Sequence, residues 1–250
     1  MQKPNDWPAN KRAAVSLSFD DARPSQLEAG LPILDCHGVR ATFYVSPPTA
    51  LTRVEDWRSA AARGHELGNH TMTHPCSGNF PWSRANALED HTVDSYAAEL
   101  DGANAFIHDQ FGITASTYAY CCGQKFIGRG AQAHSLVPLV AERFVVGRGF
   151  RDENWNDPAY CDLAQASGVD ADVQPLETLR GWVDRAVAAG GWLIFVAHDV
   201  ADRSHQALSP AVLDALCAYC ADPANGIWID TVANIGAHVC NWQRAAQKAT

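Results

Sequence analysis

No stretch of this 250-residue chain is apolar for long enough to cross a bilayer. The longest run of apolar residues and glycine, Ala186–Ala197, is 12 residues, against the roughly 20 that a spanning helix requires. The opening residues, Met1-Gln-Lys-Pro-Asn-Asp-Trp-Pro, lack the apolar core and small-residue cleavage site of a secretory leader. A cytoplasmic location is therefore expected, with secretion requiring a leader already trimmed away. Basic charge is also scarce. Nineteen Lys and Arg against 28 Asp and Glu leave a net charge of −9, a field that repels phosphate, so neither nucleic acid nor an anionic membrane is expected as a partner. Repeats and low-complexity tracts are missing, and 47 % hydrophobic with 19 % charged residues is the composition of a folded globular protein. The eight cysteines show no paired zinc-finger spacing, and the one CxxC, Cys217–Cys220, falls inside a helical pattern. They are expected to be buried small apolar side chains in reducing surroundings.

What the chain does have is alternation. Strand-like segments occur at Ala14–Phe19, Ala41–Val45, Glu66–Asn69, Ser116–Cys121, Phe144–Gly147, Trp192–Ala197 and Ile227–Thr231. Helix-like segments lie between them at Gln26–Cys36, Val54–Arg63, Trp82–Phe111, Leu176–Ala189 and Pro210–Ala221. Ser209-Pro210 reads as an N-cap followed by a first-turn proline, and Gly190-Gly191 as a helix stop. Alternating β and α at this spacing predicts an α/β fold with a parallel sheet covered by helices. About seven strands favour an incomplete or distorted parallel (β/α)7 barrel, read as a single domain over residues 1–250.

In parallel α/β folds the chemistry gathers at the carboxyl ends of strands. Three apolar strands here run straight into ionisable residues: AVSLSF into Asp20-Asp21, the third strand into Asn69-His70-Thr-Met-Thr-His74, and WLIFVA into His198-Asp199. His70 and His74, four apart, could face one ion from a loop or a helix turn, and Asp21 is the natural third ligand. Such a set leaves coordination open, as a catalytic site requires. Asp20 and His198 remain to serve as base and acid. Arg23-Pro24 ends the first strand, so that Asp20 and Asp21 can diverge.

Other motifs fail on spacing. His65 and His70 are five apart with Gly68 between them, so they do not form a zincin pair on one helix face, and His65 is expected to be structural. Gly128–Ala133 matches a loose dinucleotide pattern, yet only Lys125-Phe-Ile precedes it. Trp57, Trp82, Trp155 and Trp192 are candidates to stack on sugar faces, with burial the default for most of them.

Ser18-Phe19-Asp20-Asp21-Ala22 resembles the TFDDG motif of the polysaccharide deacetylases (carbohydrate esterase family 4). Asn69-His70-Thr71-Met72-Thr73-His74 resembles that family's H-[ST]-x-x-H motif, and Leu193–Asp199 its late apolar-strand–His motif. The resemblance runs in order from about residue 13 to 235. It implies an incomplete barrel and a divalent ion, usually zinc, on Asp21, His70 and His74. It also implies a general base at Asp20, a general acid at His198 and an acetyl pocket near Leu193 and Val196. Where the family's third motif reads Arg-x-Pro-Tyr-Gly, this chain has Ala119-Tyr120-Cys121-Cys122-Gly123. Cys122 would then offer its backbone N–H to the oxyanion, with Tyr120 beside it on the substrate side. The arginine of that motif is absent, and Arg148 is expected to compensate. The fourth-motif aspartate is not evident, though the segment Arg148–Trp155 lies in roughly its place. A carboxylate such as Asp199 is expected to keep His198 charged.

The function so implied is metal-dependent removal of acetyl groups from N- or O-acetylated carbohydrate. Two alternatives stay open on the same fold: a metal-independent hydrolase of small cyclic amides, and a non-catalytic carbohydrate-binding relative.

Overall fold

The structure, a computed structural model, describes residues 7–203 and 205–248. Eight parallel strands form the main sheet: β1 (Ala13–Asp20), β2 (Thr42–Val45), β3 (Glu66–Asn69), β4 (Thr117–Ala119), β5 (Val146–Arg148), β6 (Val169–Asp170), β7 (Trp192–Ala197) and β8 (Ile227–Ile229). Their order is β5-β4-β3-β2-β1-β7-β6, with β8 beside the first half of β1 where β2 does not reach. The edge strand β5 meets the segment leading into β6, the other edge, through a parallel bridge, Arg148 to Ala166, where Gly149 N–H donates to the Ala166 carbonyl at 2.7 Å. The result is a distorted (β/α) barrel. Each of the seven expected strand segments overlaps a strand, Phe144–Gly147 only by its last two residues. The unexpected one, β6, is two residues long and carries no apolar run that could signal it.

Period-two alternation along β1 explains both faces of the barrel. Val15, Leu17 and Phe19 pack outward against Leu31 and Leu34 of α1 (Leu31–Cys36), Leu179 and Val183 of α5 (Leu176–Ala189), and Leu213 and Leu216 of α6 (Pro210–Ala221). Burying each such side chain is worth about 1.5–3 kcal/mol. Ser16, Ser18 and Asp20 take the opposite parity and face inward. There the Ser16 hydroxyl accepts from Trp192 Nε1 at 3.1 Å, and the Ser18 hydroxyl donates to the Phe195 carbonyl at 2.7 Å. Inward residues at strand ends thus converge on the mouth. The remaining α-helices longer than four residues are α2 (Val54–Ala62), α3 (Val93–Phe111), α4 (Val137–Ala141) and α7 (Val232–Lys248).

Two helix expectations need correction. The periodic stretch Trp82–Phe111 is not one helix: Pro81–Asn86 and Leu88–Asp90 are 3-10 turns, and α3 starts at Val93. Thr92 caps it, its hydroxyl accepting from Ser95 N–H while the Ser95 hydroxyl accepts from Thr92 N–H. A reciprocal cap of this kind ends helical geometry on its N-terminal side. Helix α7 was not expected at all. Its first turn closes the barrel floor, where Ala233 N–H donates to Glu66 at 2.9 Å and Val232 N–H to the Thr42 hydroxyl at 2.9 Å. Among the described residues no helix is long and apolar enough to cross a membrane.

Candidate active site

The mouth of the barrel opens into a cleft of about 460 Å³ whose lining includes Asp20, Asp21, His70, His74, Cys122 and His198. Asp20 is the last residue of β1 and keeps the inward parity of Ser18. Asp21 then takes a left-handed backbone (φ 75°) and Ala22 follows (φ 52°), so the two carboxylates diverge although they are neighbours in sequence. The His70–His74 loop is held without a helix. Asn69 Oδ1 accepts from Thr71 N–H at 2.8 Å, Thr71 Oγ1 accepts from His74 N–H at 2.9 Å, and Glu99 accepts from Met72 and Thr73 N–H. Gln26, which sequence reasoning did not single out, is fully buried and sews two strand ends together. Its Nε2 donates to the Asp20 carbonyl at 2.6 Å and to the His198 carbonyl at 2.8 Å.

Asp21, His70 and His74 come together. Asp21 Oδ1 lies 3.5 Å from His70 Nε2 and 3.6 Å from His74 Nε2. Two ligands held about 2.1 Å from a tetrahedral ion stand about 3.4 Å apart, so Asp21 is spaced to share one cation with either imidazole. His70 Nδ1–H donates to the Ala119 carbonyl at 3.0 Å, which fixes the ring and leaves Nε2 available toward Asp21. Burial, reinforced by the charge of His70, pushes the His74 pKa down to about 4, which keeps that imidazole neutral and able to bind a metal. Burial alone would raise the Asp21 carboxyl. His70, His74 and Arg23 outweigh it and hold the group well below the usual carboxylate range. Arg23 engages Oδ2 at 2.8 Å, on the other side from Oδ1.

His70, His74 and Cys121 also bring ligand atoms within 4.8 Å of one another. Asp21 is the better third donor. Burial pushes the Cys121 thiol well up, and its sulfur sits 3.6 Å from Thr71 Oγ1, so without an ion it is a neutral thiol and a poorer donor than the ionised Asp21 carboxylate.

The acid and base candidates each have a buried partner of opposite charge. Arg148, with no exposed surface, donates from Nη2 to Asp20 Oδ1 and stacks its guanidinium 4.8 Å from the Tyr44 ring. That is the contact expected of a residue compensating for the missing arginine. It arises because β5 and β1 both end at the mouth with these side chains turned inward. His198 Nδ1 lies 2.6 Å from Asp172 Oδ2, and His198 N–H donates to Asp172 Oδ1 at 3.1 Å. Burial would lower the His198 pKa. The Asp172 hydrogen bond and the nearby Asp20 and Asp172 charges outweigh it and raise the value above that of an ordinary imidazole.

Asp199, expected in that role, is instead taken by Arg23 at 2.6 Å and the Ser25 hydroxyl at 2.6 Å. Strand alternation turns it to the other side from His198. The segment 148–155 does not supply the partner either. Asp152 accepts from Gly168 N–H at 2.9 Å. Asp172 sits just past the two-residue β6, with no apolar run to flag it.

Three more placements differ from expectation. Tyr120 is buried with its hydroxyl donating to the Ala164 carbonyl at 2.7 Å, so its side chain points into the core rather than at the cleft. Leu193 and Val196 are buried within β7, one facing the helices and one the barrel interior, and neither lines the cleft. The apolar surface there comes from Phe80, Trp82 and Phe150, with the Phe150 ring 5.4 Å from His198. Of the four tryptophans considered for sugar stacking, Trp57 and Trp192 are fully buried, and Trp155 is partly buried. Trp82 is 63 % exposed, stacked on Phe80 at 5.5 Å. His65 lies away from the cleft, its Nδ1 accepting from Ala41 N–H at 3.2 Å. The expectation of buried free cysteines holds at Cys121, Cys217 and Cys220, and fails at exposed Cys36, at partly buried Cys161 and Cys240, and at one pair. Cys76 and Cys122, 46 residues apart, are joined in a disulfide, while Cys36, Cys121, Cys161, Cys217, Cys220 and Cys240 are free.

A family model described as polysaccharide deacetylase matches residues 8–128. A chitooligosaccharide deacetylase of Sinorhizobium fredii is 44 % identical over 63 residues, 25 % of this chain and 29 % of that protein. A gellan lyase of a Bacillus species is 28 % identical over 144 residues, 57 % of this chain but 5 % of its own. The chain thus spans less than a third of the length of these relatives. Among solved structures, the peptidoglycan deacetylase PdaC of Bacillus subtilis aligns over 97 % of both chains with a TM-score of 0.59 and 19 % identity. A Mycobacterium smegmatis protein, provisionally assigned as a polysaccharide deacetylase, covers 97 % of this chain and 93 % of its own with a TM-score of 0.69 and 18 % identity. At such identities the structures speak for the fold. Residues 8–128 thus match the polysaccharide deacetylase family, and the fold of the whole chain is the one those solved structures share.

Proposed function

We propose that this chain is a divalent-metal-dependent hydrolase that removes acetyl groups from N- or O-acetylated carbohydrate, with zinc as the resident ion. The observation that carries this reading is the meeting, in one cleft, of three donors spaced for a cation with an Asp20–Arg148 pair and a His198–Asp172 pair. Asp21, His70 and His74 hold the ion. When bound, it polarises the acetyl carbonyl and makes a neighbouring water more acidic.

Asp20 removes a proton from the attacking water, while Arg148 fixes that carboxylate through Oδ1. The charge that builds on the carbonyl oxygen faces the Cys122 backbone N–H. His198, with Nδ1 engaged by Asp172, delivers the proton on Nε2 to the departing nitrogen or oxygen. Acetate and the free amine or hydroxyl result. Exposed Trp82 and Phe80 offer a flat apolar wall that suits the face of a sugar ring, and the named activity of the Sinorhizobium relative makes N-acetylated oligosaccharides the first substrates to try.

Acetate release from N-acetylated chitooligosaccharides and from acetylated xylan, with and without chelator, tests this reading. Release that stops on chelation and returns with zinc is expected. Release that ignores the chelator would favour the metal-independent amidase, and sugar binding without turnover the non-catalytic relative.

A further inference from the structure

Two loops carry the two sides of the candidate site, and a covalent bond joins them. The first follows His74 and runs through Cys76 to Trp82. The second is the tight turn Cys121–Gly123. Cys76 is fully buried and pinned within its loop: its N–H donates to the Ser83 hydroxyl at 3.0 Å, and that hydroxyl donates back to the Cys76 carbonyl at 2.8 Å. Cys76 Sγ lies 3.7 Å from Nδ1 of His74, the ring nitrogen not aimed at Asp21. Cys122 is partly exposed, lines the cleft and holds a left-handed backbone (φ 53°), which costs a non-glycine residue about 1–3 kcal/mol unless its surroundings enforce it. The Cys76–Cys122 disulfide spans these two positions. A weaker link runs beside it, from Ser77 N–H to Gln124 Oε1 at 2.8 Å.

We propose that the Cys76–Cys122 disulfide is a positioning element of the site, holding the His74 ring and the Cys122 backbone in register, and that its reduction by a dithiol weakens metal binding and slows turnover together. The turnover part rests on the deacetylase reading above. Its basis is a juxtaposition: one bond contacts a metal-ligand imidazole at one end and fixes an enforced backbone conformation in the cleft at the other. Reduction proceeds by thiol–disulfide exchange. A thiolate of the reductant attacks Cys122 Sγ, the partly exposed sulfur. The S–S bond breaks, and Cys76 leaves with the electron pair and takes up a proton. The second thiol of the reductant then displaces Cys122, which leaves as a thiol, and the reductant departs as its own disulfide. Two electrons and two protons have moved to the protein.

The experiment compares the full chain oxidised, reduced with dithiothreitol and then freed of it under argon, and reoxidised. Cys76→Ser and Cys122→Ser serve as permanently open forms. Zinc affinity is read by competition with a chromophoric chelator, alongside kcat, KM and melting temperature. Oxidised protein should show six free thiols after denaturation. Reduction, or either substitution, should weaken zinc binding about tenfold or more, the scale seen when a partner of a metal ligand is lost. It should also lower kcat at saturating zinc with KM nearly unchanged, and reoxidation should restore the wild type alone. Eight free thiols in the oxidised sample overturn the proposal. So does a change confined to melting temperature, which would make the bond a staple of the fold and nothing more. Zinc affinity that follows the redox state in a chain that releases no acetate in any state overturns the deacetylase reading and leaves the metal-positioning role standing.

Discussion

The two ends of the barrel both bury polar groups, and they treat them in opposite ways. At the floor, Glu66, the first residue of β3, is satisfied from three directions: the Thr42 hydroxyl at 2.7 Å, the Thr117 hydroxyl, and Ala233 N–H from the start of α7. The first turn of a 17-residue helix also presents the positive end of its dipole there. None of these residues has a strained backbone. At the mouth, Asp21, Thr71, His74, Cys122 and Arg151 all take left-handed conformations that L side chains rarely adopt. Carboxylates and imidazoles there are each held on one side, Asp20 by Arg148, Asp21 by Arg23 and His198 by Asp172, and converge on open space rather than being enclosed by donors as Glu66 is. The floor spends its polar contacts on holding the barrel shut. The mouth holds polar groups in costly positions with their ligand atoms still available, as a reacting site requires.

This contrast should break most visibly at the trio proposed to hold the metal. His74→Ala and Asp21→Ala should each lower kcat/KM about a thousandfold or more in acetate-release assays, and His74→Ala should leave the melting temperature of the metal-free protein nearly unchanged. An effect on folding as large as the effect on rate would erase the distinction between mouth and floor.

Next in size is Asp172→Asn, which should cost about a hundredfold in kcat. Its signature is in the pH profile. The His198 imidazole is held above its ordinary value, so the proton-donating form is present at lower pH and is lost as pH rises through the raised native value. Removing the carboxylate should pull the alkaline limb of kcat to lower pH. A profile that drops in height without moving would mean that Asp172 only packs the loop. Arg148→Met should mix the two regions' behaviours. It should slow turnover and also destabilise the fold by about 3 kcal/mol, because it leaves the Asp20 carboxylate buried without its cation. Denaturant unfolding measured beside kcat separates the two.

The smallest effect is expected at the floor. Glu66→Gln should leave kcat unchanged and shift stability by about 1–2 kcal/mol. Burial raises the Glu66 carboxyl although Thr117, Ala233 and Thr42 all donate to it. The native state therefore binds this proton more tightly than the unfolded chain does. Its contribution is complete below the ordinary carboxylate value and is lost as pH rises through the raised native one. The melting temperature of the wild type should fall across that window more than that of the variant.

Legibility in the sequence followed the range of the contacts. Asp20, Asp21, His70, His74 and His198 sit directly after apolar strands, and a parallel α/β pattern says where such positions go. The barrel was legible for the same reason, since β7 announces itself by an unbroken apolar run and β1 by apolar residues alternating with Ser16 and Ser18. Arg148 could be suspected because a strand ended beside it, though nothing local tells that its guanidinium crosses the mouth to Asp20. Asp172 could not. It lies between acidic and small residues after a two-residue strand, and its meaning depends on pairing with β7, 26 residues later. The disulfide is harder still, because 46 residues and a complete strand and helix separate its cysteines and only the curl of the sheet brings them together. Leu193 and Val196 mark the converse limit. Their neighbourhood to His198 in sequence is real, but alternation and burial keep their side chains out of the cleft.

The most direct test of the account is a zinc titration of the metal-free chain, followed by calorimetry, on the wild type and on Asp21→Ala, His70→Ala and His74→Ala. One ion per chain in the wild type, with binding lost in each variant, is the expected result. No binding, or binding that survives loss of Asp21 and disappears instead in Cys121→Ser, would contradict it.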